Sequence, residues 1–104
     1  MGNPKFDEIR RKHPEWSDEQ VWAAVAIAME ADNTVEKAGK DVDPNNPEIL
    51  KSIIKGAQEW LKSVLPQIFE KLKALFSQLL SRFGEWIQKG FEYIMVFIGE
   101  YFKR

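Results

Sequence analysis

An all-α fold is predicted for this 104-residue chain by three observations. Apolar residues recur at helical spacing along most of its length. Ser17 and Asn46, both good helix caps, stand directly before two of those periodic runs. After Asn46 the chain has no Asn, Asp, Thr or His, so its C-terminal half lacks the usual turn builders apart from Pro66, Gly56, Gly84, Gly90 and Gly99. The expected architecture is a small acidic helical head over residues 1–40, a linker over 41–47 and a long amphipathic helix over 48–104.

The first element is a short helix over PKFDEIRRK, residues 4–12, with Pro4 at a tolerated early position. Phe6 and Ile9 share its apolar face. His13 ends it, because a residue before proline avoids the α region. A second helix starts at SDEQ, where Ser17 and Gln20 have capping-box spacing and Asp18 and Glu19 suit the positive helix start. Val21, Trp22, Val25, Ala28 and Met29 form its stripe, and its alanines admit another helix at close range. It ends near Ala31 or frays onward to Ala38, with Gly39 as a stop. The head core is expected to hold Phe6, Ile9, Trp16, Val21, Trp22, Val25 and Met29. GKDVDPNNPE then gathers Gly, Asp, Pro and Asn into a linker. Asn46 caps the next helix, with Pro47 at its first position.

From residue 50 to the end, apolar residues follow an eleven-residue repeat. Its first position reads Leu50, Leu61, Leu72, Phe83, Ile94, and its fourth reads Ile53, Val64, Leu75, Trp86, Phe97. Eleven residues in three turns return each block to nearly the same side of a helix. The apolar positions together cover an arc of roughly 130°. Cations flank the stripe at Lys51, Lys62, Lys71, Lys73 and Arg82, where their stems can lie on apolar surface. Pro66 should kink such a helix. The repeat nevertheless runs through Pro66 and Gly84 without a phase shift, so one kinked helix is expected. A break at either site, giving a compact bundle, is the alternative. An unbroken helix would be about 85 Å long and would leave its stripe wet in a monomer, which soluble proteins rarely tolerate.

Charge separates the halves: residues 1–48 hold 6 Lys+Arg against 11 Asp+Glu, a net of -5, and residues 49–104 hold 9 against 5, a net of +4. The acidic front argues against nucleic acid as a partner. There is no cysteine, which excludes disulfides and thiolate metal sites. The N-terminal residues lack a secretory apolar region. The most apolar stretch, FEYIMVFIGEYF at 91–102, is short and carries Glu92 and Glu100, so no transmembrane helix is expected.

No catalytic or metal site and no cofactor is expected. His13 is the sole histidine, and the serines lack a nucleophile context. Adjacent pairs such as Asp7-Glu8 splay apart on a helix, and no phosphate-cradling glycine motif occurs. The aromatics of the C-terminal half fall at helical spacing, as core or interface residues do.

Two family resemblances follow. The repeat over 50–104, with its cationic borders, resembles the lipid-binding helices of exchangeable apolipoproteins, which implies an affinity for lipid surfaces. HPEWSDEQV followed by Val35-Glu36-Lys37-Ala38 resembles the ubiquitin-binding CUE/UBA three-helix pattern over about 6–42. His13 stands where that family has an aromatic residue, and Gly39-Lys40 fall where its last helix needs apolar ones.

The function expected from the residues is non-enzymatic assembly into a helical bundle, tube or rod. The partner is then the protein itself, through Leu50, Ile54, Leu61, Ile68, Leu72, Leu75, Leu79, Phe83, Ile87, Ile94 and Phe97. The alternatives are an anionic membrane surface bound, or a pore formed, by the same face, or another protein bound by the head.

Overall fold

The computed structural model describes residues 3–38, 46–81 and 92–101. Among these there are five helices and no strand: α1 (Pro4–Lys12), α2 (Asp18–Ala38), α3 (Pro47–Val64), α4 (Pro66–Ser81) and α5 (Glu92–Tyr101).

Local chemistry accounts for most of the helix ends. Asn3 caps α1: its side-chain oxygen accepts from the backbone N–H of Lys5 at 2.8 Å and of Phe6 at 3.2 Å. His13 closes α1 by donating its backbone N–H to Ile9 O at 2.9 Å, with ψ at 68°, outside the α region as Pro14 requires. The expected capping box opens α2. Gln20 N–H donates to Ser17 Oγ at 3.3 Å, and Ser17 N–H donates to Gln20 Oε1 at 2.8 Å. Asn46 caps α3 through Glu48 N–H at 2.9 Å and Ile49 N–H at 3.4 Å, with Pro47 in the first turn.

α2 runs through Asn33 and Thr34 to Ala38, past the earlier stop considered at Ala31. One unfavourable pair costs a helix only tenths of a kcal/mol per residue, and Glu36, Lys37 and Ala38 carry it on. Among the described residues, Val35–Ala38, which the CUE/UBA resemblance assigns to a separate short third helix, instead continue α2. Val21 and the unbroken run Ala23–Ile27 are all buried, so α2 is covered around its circumference. It touches each of the other four helices. Small alanine side chains let four neighbours approach one central helix.

The single long helix expected over 48–104 is not what forms. α3 stops at Val64, Leu65 stands outside both helices at φ -134°, ψ 64°, and α4 begins at Pro66 and packs back against α3. The physical reason is the one that ended α1: the residue before a proline avoids the α region. At Leu65 this rule outweighs the continuity of the repeat. The molecule measures 33 Å in its longest direction, against about 85 Å for the unbroken helix. The expected break site at Gly84, and the linker residues up to 45, lie outside the described residues.

Folding back gives the stripe its cover. Leu50, Ile53, Ile54, Ala57 and Leu61 of α3 are buried with Phe69, Leu72, Leu75, Phe76 and Leu79 of α4 and Ile94, Phe97 and Ile98 of α5. They join Ile9, Trp16, Val21, Val25 and Ile27 in a single core. Head and C-terminal half thus share one interior.

Candidate functional site

Leu50, Ile54, Leu61, Leu72, Leu75, Leu79 and Ile94 have no solvent exposure, and Phe97 has almost none. Ile68 is half-buried. Phe83 and Ile87 lie outside the described residues, as does the border cation Arg82. The premise that a monomer leaves this stripe wet therefore does not hold for the closed chain. Val64 is 52% exposed, and Leu65 and Ile68 are partly so; all three flank the α3–α4 corner.

The border cations sit on the surface. Lys71 reaches Glu19 of α2 at 3.1 Å, Lys62 pairs with Glu59 at 3.5 Å, and Lys73 pairs with Glu70 at 3.2 Å. Lys62 also lies over the Phe69 ring, 5.7 Å from its centroid, across the corner. Lys51 is exposed. Lys51, Lys55 and Lys73 line a shallow groove between α3 and α4 with Gln58 and Ser77, and among the described residues no carboxylate lines it.

Among the described residues, two groups have displaced protonation equilibria. The carboxyl of Glu19 is held below its ordinary range, first by its own backbone N–H in the first turn of α2 and then by Lys71. The Lys5 ammonium is raised by its hydrogen bond to Asp32, 3.1 Å away. Both are ties between helices.

The head residues are mostly committed to the interior. Ile9, Trp16, Val21 and Val25 are buried, whereas Phe6, Trp22 and Met29 are half-buried against them. Phe6 and Trp22 pack with ring centroids 4.7 Å apart, and Trp22 approaches Trp60 of α3 at 6.3 Å. His13 stacks on Trp16 at 3.8 Å with nearly parallel rings, and its Nδ1 is 4.0 Å from Glu15. His13 and Trp16 line a groove of about 530 Å³ closed on its other side by Met95, Val96 and Gly99 of α5. Among the described residues no group of three His, Cys, Asp or Glu could hold a metal ion. No helix among them is long and apolar enough to cross a membrane.

Sequence reasoning missed one junction. Gln20 was assigned only to a cap, yet its Nε2 also donates to Ile98 O of α5 at 3.2 Å, and the side chain is 6% exposed. Nothing local to Gln20 signals a partner 78 residues away.

These features define an all-α helical bundle built around α2. No family model, curated protein or solved structure matches this chain.

Proposed function

We propose that this is a non-enzymatic assembly protein whose copies associate through the amphipathic C-terminal half. The observation that carries this is the register at the α3–α4 corner. The eleven-residue spacing passes from Leu61 through Val64, Leu65 and Ile68 to Leu72 with no residue gained or lost. A helical hairpin makes no such demand, because each arm can meet α2 at its own rotation. A helix presenting one unbroken face does require it. Val64 at this corner is also exposed, and Leu65 and Ile68 beside it are only half-buried.

Light scattering on a sizing column, over a wide range of protein concentration, tests the proposal. Discrete multiples of 12.1 kDa are the expected result. A mass of 12.1 kDa at every concentration overturns it.

A second reading, binding to an anionic membrane surface, is favoured by the groove that gathers Lys51, Lys55 and Lys73. The likeness of the repeat to apolipoprotein helices points the same way. Co-sedimentation with phosphatidylserine vesicles supports this reading if binding is strong and falls with salt, and removes it if no protein pellets.

A further inference from the structure

We infer that assembly proceeds by exchange: α4 and α5 leave their own bundle and occupy the same places in a second copy, with Leu65 as the hinge. This rests on the self-association proposed above and adds how it occurs.

The corner holds no loop. Leu65 N–H donates to Leu61 O at 2.9 Å, and Phe69 N–H donates to Leu65 O at 2.8 Å, so the hydrogen bonds of each helix run up to the same residue. Swinging α4 away from α3 requires rotation at Leu65 alone and unravels neither helix. Pro66 has no N–H, so opening strands no donor there. A connection this short also restricts how the hairpin can relax, which favours exchange between copies.

The energetics favour a partner over an open monomer. Opening alone would expose Phe69, Leu72, Leu75, Phe76 and Leu79, all buried in the closed chain. In an exchanged dimer each of these regains the same neighbours, contributed by the other chain. Gln20 to Ile98 and Glu19 to Lys71 become contacts between chains with unchanged chemistry. What differs is the hinge. Two copies of exposed Val64 and half-buried Leu65 and Ile68 come side by side and cover one another. The unshifted repeat then has a role, because a straightened Leu65 joins α3 and α4 into one continuous apolar face.

The chain has no cysteine, which makes the test direct. Lys55→Cys in α3 and Ser77→Cys in α4 place thiols on two exposed positions of the same groove. The purified oligomer is treated with a short bismaleimide and run on a denaturing gel. Exchange predicts that the crosslink joins two chains, so the main product migrates as a covalent dimer. A product of single-chain size from the same oligomer overturns exchange and leaves self-association standing. A wild-type chain that stays at 12.1 kDa, even after refolding at high concentration, overturns both. As a second measurement, protein crosslinked within one chain while dilute is then concentrated. Exchange predicts that it stays monomeric, and association of this locked form overturns it.

Discussion

At the scale of single residues, the most consequential side chains serve two purposes at once. Gln20 completes the cap of α2 and also holds α5 through Ile98 O. Ser17→Ala removes only the cap and should cost about 1 kcal/mol. Gln20→Ala removes its half of the capping box together with the buried bond to Ile98 O and should cost about 2 kcal/mol, so urea midpoints should rank the two variants in that order. Gly99 is small for a different reason. A Cβ there would stand 3.3 Å from the Trp16 ring, which is itself stacked on His13. Gly99→Val adds branched bulk into that contact and should lose about 1–3 kcal/mol in the same assay. Glu19 sets a pH dependence. Its carboxyl is depressed in the folded state, so its contribution is present above its ordinary value of 4.5 and is lost as pH falls through the folded value. Lys5 is raised, so its contribution is present below 10.5 and is lost as pH rises through the folded value. Glu19→Gln should flatten the acid limb of stability against pH and leave the alkaline limb in place. An unchanged acid limb in urea titrations would show that Glu19 is no tie.

At the scale of elements, two prolines act by one rule. His13 before Pro14 and Leu65 before Pro66 have nearly the same backbone, with ψ at 68° and 64°, and each terminates its helix through a final bond to the residue four back. Pro66→Ala restores an N–H and frees Leu65 to become helical. The variant should shift the population toward the straight form, and light scattering should find more oligomer at a given concentration. Inserting a flexible Gly-Ser segment between Leu65 and Pro66 should do the reverse, because a longer connection lets the hairpin close within its own chain at small entropic cost. Equal oligomer content in both variants would mean that the corner has no part in association. α2 illustrates a different control. Its run of small and branched residues, Val21 to Ile27, suits a helix surrounded by others, whereas beyond Ala31 it is mostly exposed and continues on local propensity.

At the scale of the whole molecule, one core draws on all five helices, so stripe and fold cannot be perturbed separately. Leu72 and Leu79 are fully buried. The pair Leu72→Asp and Leu79→Asp, a natural choice for abolishing assembly, should therefore unfold the chain. Circular dichroism should show that loss even where the protein is monomeric. A native spectrum for this double variant would mean that the core is wrongly placed. Probes of association belong instead at Val64, where exposure leaves room for change: Val64→Lys should leave the fold intact and reduce the oligomer.

The sequence by itself determined the helical class, the caps at Ser17 and Asn46, the stop at His13 and the apolar side of each helix, because these depend on neighbours within a few residues. It also carried the stripe, most of whose described members are indeed apolar and inside. Only the tertiary structure decided what covers that stripe. Periodicity records which side of a helix is apolar and is silent on whether the cover comes from the same chain or another. At Leu65 two local signals conflict, an unbroken phase and a pre-proline backbone, and the outcome turns on the burial gained when α4 folds onto α3 and α2. That gain is a sum over residues distant in sequence, Gln20 with Ile98 and Glu19 with Lys71 among them, and no local pattern contains it.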